Sequence, residues 1–422
     1  MPLSLRLTIL LTAITCAITA GLAAPPTWPQ WQGPNRDAIS AETGLLRQWP
    51  QGGPALLWTA TGCGKGYCSL AVTERMIYTA GSLEKQSYVL AFDLSGKLKW
   101  KTANGGQWKA EERMPWALSF DGARSTPTVD GETVYHLSDL GTLSAFDAQT
   151  GKVRWSLDLP TQFDAVVPGY GYAESVLIDG NHLICTPGGK KGFMVALDKR
   201  TGAVLWTNTE VTDRAAYASP ILFTDQGIRQ LVTLTEAAII GVAAETGKLL
   251  WRYPFTNMRK NNIPTPIYQQ GYVFASTGYG GGSVLLKLKV DAGKVSVSKV
   301  WANTLLDNIH GGVILRDGYL YGAANDKPAW VCLNFLTGEE VYREKGVGQG
   351  SLLYADGMLY CLGERGTMAL VPCMPKNYLP VSQFDVPQGG SGLFWAHPVV
   401  CGGRLYIRHA DKLYAYAISR EQ

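Results

Sequence analysis

The chain has 422 residues and a formal net charge of +4; 46% of its residues are hydrophobic, and glycine (48) and tryptophan (13) are abundant. That much apolar material excludes a disordered polymer. The weak positive charge occurs in scattered pairs such as Lys190–Lys191 and Arg259–Lys260, which form no stripe for a nucleic acid.

The chain opens as a secretory signal peptide over residues 1–23. Arg6 precedes an apolar run from Leu7 to Ala20, and Gly21-Leu22-Ala23 is a small-x-small cleavage signal. The run is short for a membrane span, and Ala13-Ile14-Thr15 is a poor lipidation context for Cys16. The mature chain is therefore expected to be exported, periplasmic or secreted, with no transmembrane span. Seven cysteines remain after cleavage, so at least one thiol is unpaired. Cys63 and Cys68, and likewise Cys361 and Cys373, are near enough in sequence to bridge, but spacing settles neither pairing. No Cys-x-x-Cys occurs, which argues against a zinc ribbon or covalent haem.

Residues 24–53 follow. Their Trp28-Pro29-Gln30-Trp31-Gln32-Gly33-Pro34-Asn35-Arg36 stretch, punctuated by Pro and Gly, suggests an extended arm. Leu56-Leu57-Trp58 then reads as the last strand of a repeat whose earlier strands are missing. From there a phrase recurs, clearest at Phe146-Asp147-Ala148-Gln149-Thr150-Gly151-Lys152-Val153-Arg154-Trp155. The Asp carboxylate can bond nearby backbone N–H groups, Gly takes the left-handed turn conformation, and the following strand ends in a large ring. The closing aromatics are Trp58, Trp100, Trp155, Trp206, Trp251, Trp301, Tyr342 and Phe384, at intervals of 41 to 55 residues. Asp130-Gly131, Asp317-Gly318 and Asp356-Gly357 mark hairpins earlier in the repeats. Ala243 and Asn334 replace the Asp in two copies, and the seventh and eighth copies lack the phrase.

Four strands per period of this length indicate an all-β, eight-bladed β-propeller of four-stranded antiparallel blades over residues 54–422. The eighth repeat, Ala396 to Ile418, has three strands. The surplus strand at Trp58 is expected to pair near Tyr414 and close the ring, which removes an exposed edge.

In such a ring the innermost strands start beside the central channel. The long links Lys101–Ala123, Ser156–Gly171 and Arg252–Asn262 lie on that face, and Gln107–Trp116 is a candidate short helix over it. Polar side chains crowd these strand starts. Arg124, Glu174, Tyr217, Asn261, Asn262, His310, Gln349, Trp395 and His397 are the candidate ligand-binding residues. Arg124 and Glu174 are candidates to pair across the mouth, and Trp395 to stack on a planar ligand or plug the channel. No nucleophile elbow, phosphate loop or metal-ligand spacing is present. Gly278-Tyr279-Gly280-Gly281-Gly282 opens no helix and reads as a turn.

The phrase, the Trp28–Arg36 arm, Tyr172-Ala173-Glu174-Ser175, His310-Gly311-Gly312 and Trp395-Ala396-His397-Pro398 together resemble an exported bacterial group of pyrroloquinoline-quinone-like propeller repeat proteins. The resemblance covers nearly the whole mature chain. Quinoprotein dehydrogenases of this superfamily use a catalytic Asp, a calcium held by Glu and Asn and, in many, a disulfide between adjacent cysteines. Here Glu174, Asn261 and Asn262 are of the right type, but no Asp matches and no two cysteines are adjacent. Other relatives bind no quinone and serve as scaffolds, as in outer-membrane β-barrel assembly. The polar ring, the long loops and the lack of a matched catalytic set point to a non-catalytic binding or scaffold protein that takes a protein, peptide or glycan at the channel face. The alternative is a quinone-dependent alcohol or sugar oxidoreductase carrying pyrroloquinoline quinone and calcium.

Overall fold

The computed structural model describes residues 26–109 and 120–420. The expected signal peptide and Cys16 lie outside the described residues, as does most of the expected helix over Gln107–Trp116. Its described part, residues 107–109, is not helical.

Eight sheets form eight blades. Blade 1 runs from Ala71–Val72 through Met76–Leu83 and Gln86–Asp93 to Leu98–Gly106, and blades 2 to 7 repeat this order. The middle strands supply the core, since they are covered on both faces; Met358–Gly363 is buried at every position. Outer strands alternate, as Val153–Asp158 does, because only one face meets the neighbouring blade.

Blade 8 joins the two ends of the chain. Val399–Cys401, Arg404–His409 and Lys412–Ala417 are completed by Leu56–Ala60, with Leu56 opposite Tyr416, Trp58 opposite Ala415 and Thr59 opposite Tyr414. The expected closure is therefore present. Blade 7 carries an unexpected fifth strand, Ile39–Ser40, running parallel to Gly350–Ala355.

The recurring phrase does more than turn the chain. Within a blade, the Asp147 carboxylate accepts from the Gln149 and Thr150 amides and the Thr150 hydroxyl. Between blades, the closing indole reaches the next copy of the phrase. Trp58, Trp100, Trp155, Trp206 and Trp301 donate to the carbonyls of Leu94, Ala148, Lys199, Ala244 and Phe335, at 2.9–3.1 Å. Each of these carbonyls directly follows the phrase's Asp position in the following blade. The phrase's glycine covers the same ring: a Cβ on Gly96, Gly151, Gly202, Gly247 or Gly338 would sit 2.3–2.9 Å from the preceding blade's indole. Blade 5 has no phrase, and Trp251 turns back to Gln230 of its own blade. In blade 8, Gly53 takes the glycine's place against Phe384.

The arm is not extended as expected. Residues 30–36 run through turns, with Gln32, Arg36 and Ala38 in the left-handed region. The segment closes one end of the central channel and touches every blade. Trp28 exchanges two backbone bonds with Val72, and the Pro29 carbonyl accepts from Val129. Arg36 donates to the Ser175, Val176 and Pro220 carbonyls. The Trp31 indole donates to Thr265, and its ring packs on His397. Gln32 lies against Gly312, and Ala38 accepts from the Tyr354 amide. Pro and Gly punctuation signalled an irregular path, but only the ring supplies the carbonyls that wrap it.

Among the described residues all seven cysteines are free, and neither pairing allowed by sequence proximity is formed. No helix among them is long and apolar enough to cross a membrane.

The interblade contact is testable. Gly151→Ala puts a methyl group into the Trp100 ring on a left-handed backbone, and should cost about 2–4 kcal/mol. Gly131→Ala is also left-handed, but nothing lies within 4 Å of the added carbon, so it should cost only about 1 kcal/mol. Chemical denaturation of the two variants measures the difference.

Candidate functional site

Each innermost strand begins on the face opposite the Asp-Gly hairpins, and the turns joining second and third strands return to that face. Together they surround a cavity of about 270 Å³, floored by Trp31 and Gln32 of the N-terminal segment. The channel is therefore blind at this depth.

Of the nine residues expected at the mouth, six line this cavity: Arg124, Tyr217, Asn261, His310, Gln349 and Trp395. Three lie behind it. Glu174 is buried, both carboxylate oxygens accept from the Thr186 amide, and its nearby cation is Arg36 of the floor segment. Asn262 is fully buried; it donates to the Thr235 and Phe255 carbonyls and accepts from the Thr277 hydroxyl. His397 sits beneath the floor, its ring on Trp31 and its Nε2–H on the His310 carbonyl at 2.7 Å.

The expected Arg124–Glu174 pair does not form. Arg124 donates to the Gly122 and Phe120 carbonyls, and its guanidinium lies 4.9 Å from the Trp108 ring centre and 5.7 Å from that of Tyr67. The carboxylate that balances it is Asp139, behind the wall. Burial pushes Asp139 up to about 6, with Arg124 opposing. Glu174 is likewise pushed up to about 8 by burial, against the pull of Arg36. Burial also holds Arg124 below the usual guanidinium range.

Glu364 and Tyr279 carry much of the lining and were not among the expected residues. Both sit in turns between second and third strands, short segments that were read as connections alone. Glu364 accepts from the Gln349 amide at 2.8 Å and the Trp395 indole at 2.6 Å. His310 Nε2 lies 3.7 Å from the same carboxylate, but burial pushes this imidazole down to about 3, so the contact is not an ion pair near neutral pH. Trp395 packs against His310, Tyr67 and Phe120 at 4.4, 4.8 and 5.2 Å between ring centres. The aromatic arc continues from Phe120 to Tyr170 and on to Tyr217. A position in a glycine-rich turn, such as Tyr279 between Gly278 and Gly280, was the available signal.

A quinone held over calcium does not fit these residues. Both Glu174 oxygens and the whole Asn262 amide are engaged in the fold. Among the described residues no group of three His, Cys, Asp or Glu side chains is arranged to hold a metal ion. Among the described lining residues, a polycarboxylate quinone would meet one cation, already capped by carbonyls, and the Glu364 carboxylate. The cavity offers aromatic faces, the side-chain amides of Gln32, Asn261 and Gln349, and a carboxylate. A larger hollow of about 740 Å³ lies on the opposite face beside Asn35–Asp37. Its Tyr268 hydroxyl already donates to the nearby Asp225 carboxylate.

The sequence profile of the outer membrane protein assembly factor BamB family matches residues 85–344, well over half of the chain. The chain is 26% identical over 225 residues to BamB of Yersinia pestis, covering 48% of this chain and 52% of that protein. It is 27% identical over 177 residues to the dehydrogenase subunit of a quinone alcohol dehydrogenase from Komagataeibacter europaeus, covering 36% of this chain and 22% of that one. The matches thus span about half and about a fifth of these relatives' lengths. The quinohemoprotein alcohol dehydrogenase of Comamonas testosteroni superposes with a TM-score of 0.62 at 13% identity, over 94% of this chain and 81% of that one. At that identity the likeness concerns the fold.

Burial depresses His136 to about 3, His310 to about 3 and His397 to about 4. Each is below its unfolded value, so the unfolded chain binds more protons, and the contribution present above pH 6.5 is lost as pH falls toward the folded value. Asp139 and Glu174 have raised values and the opposite sign, so the effect is read as a difference. Relative to wild type, His136→Gln should gain about 2 kcal/mol of stability between pH 7.5 and pH 5. Urea titrations at the two pH values measure it, and an unchanged difference refutes it.

Proposed function

The chain belongs to the family of the outer membrane protein assembly factor BamB, and from that premise we propose that it is an exported, non-catalytic binding propeller. Its channel mouth would hold the end of a protein, peptide or glycan partner. One observation carries this reading: the charged groups among the cavity's described residues are already engaged, Arg124 by two carbonyls and Glu364 by Gln349 and Trp395. A general base or a metal ligand needs a group in reserve; a binding site needs only convergent partners and apolar faces. Export rests on the N-terminal apolar segment, and the relatives' name supports a role in assembly with other proteins.

The competing reading is a quinone-dependent oxidoreductase, favoured by the similarity to the dehydrogenase subunit. Titration with pyrroloquinoline quinone and calcium separates the two. The expected result is no saturable quinone spectrum and no dye-linked turnover of alcohols or sugars. A saturable spectrum that is lost in Arg124→Ala, accompanied by turnover, would replace the binding reading with the oxidoreductase one.

A further inference from the structure

Resting on that binding reading, we propose that the mouth cavity receives the terminal ring of an uncharged oligosaccharide. Three features of the cavity converge on this ligand class.

The first is its two-sided lining. Trp395, Phe120, Tyr170 and Tyr217 form a continuous aromatic arc that follows blades 8, 2, 3 and 4. The remaining sector sets the amides of Asn261 and Gln349 and the Glu364 carboxylate beside Tyr279, Ile263 and Ile309. A pyranose ring has the matching division. Its C–H faces suit the negative face of an aromatic ring, and its rim of hydroxyls both donates and accepts. An aromatic side chain of a peptide would cover the arc but bring no partner for the N–H and lone-pair positions that Gln349 and Glu364 keep beyond their mutual bond.

The second is the charge. Arg124 and Glu364 are the charged side chains among the described lining residues, one of each sign, with His310 neutral. The Arg124 guanidinium is capped by carbonyls and backed by Asp139. A uronic acid or a free peptide terminus would bring a charge with no unspent partner.

The third is the closed floor. Trp31 and Gln32 end the cavity, with the indole tied to Thr265. A polymer cannot thread through, so it enters by its end. The volume, about 270 Å³, lies near the lower limit of small-ligand sites, roughly 300 Å³, and suits a terminal ring rather than a long segment.

Calorimetry and tryptophan fluorescence test this with maltotriose, cellotriose, xylotriose and chitotriose, an oligogalacturonate, and capped tripeptides containing Phe or Tyr. At least one neutral trisaccharide should bind saturably, and the oligogalacturonate should not. Trp395→Ala should weaken binding about tenfold, and Asn261→Ala about fivefold. Tyr279→Ala, on a turn, gives a second aromatic test if the Trp395 variant misfolds. Binding of none of the neutral trisaccharides overturns the proposal. Peptide binding without saccharide binding overturns it while leaving the binding-propeller reading intact. Quinone and calcium binding with turnover overturns both.

Discussion

The ring depends on a contact between neighbours: the indole that ends one blade lies under the glycine of the next blade's turn and donates to the carbonyl beside it. Each such hydrogen bond contributes only about 1 kcal/mol net. Its value lies in geometry, because a flat ring under a residue without Cβ fixes how far apart two blades stand. Five interfaces use it directly. The Phe384–Gly53 contact reproduces its packing at the seam where the two ends of the chain meet. Between blades 4 and 5 this contact is replaced, and Trp251 donates to Gln230 within blade 4.

The inner circumference is stitched by smaller groups. Ser69 donates its hydroxyl to the His397 carbonyl, and the amides of Ser69, Thr126 and Ser175 donate to the hydroxyls of Thr126, Ser175 and Ser219. Blades 8, 1, 2, 3 and 4 are thereby linked in series beside the channel. The floor segment completes the assembly by satisfying backbone carbonyls that would otherwise face an open pore. This also explains why Arg36 tolerates burial: its guanidinium meets three carbonyl acceptors, and Glu174 lies nearby.

Burial governs the electrostatics of the whole site. It raises the carboxylic acids, lowers the imidazoles and leaves few groups both charged and unengaged at the mouth. Such a lining offers apolar faces and hydrogen-bonding groups more than free charge. The Glu174 and Asn262 side chains are spent inside the fold, on backbone groups and the Thr277 hydroxyl.

From the sequence alone, the blade count, the hairpins and the closure of blade 8 by Leu56–Ala60 were all legible. These follow from local rules that repeat: turn chemistry, alternation and a surplus strand that matches a missing one. Six of the nine residues expected from the sequence line the cavity for the same reason, as strand starts fall on one face. The floor was not legible. Trp31, Gln32 and Arg36 find their partners on five separate blades, and no local pattern encodes those contacts. Nor could sequence distinguish Glu174 from Glu364: both are carboxylates near strand ends, and only the assembled ring turns one toward the Thr186 amide behind the wall and the other toward the cavity. Periodicity determined the ring; the long-range packing of its centre decided which side chains face the ligand space.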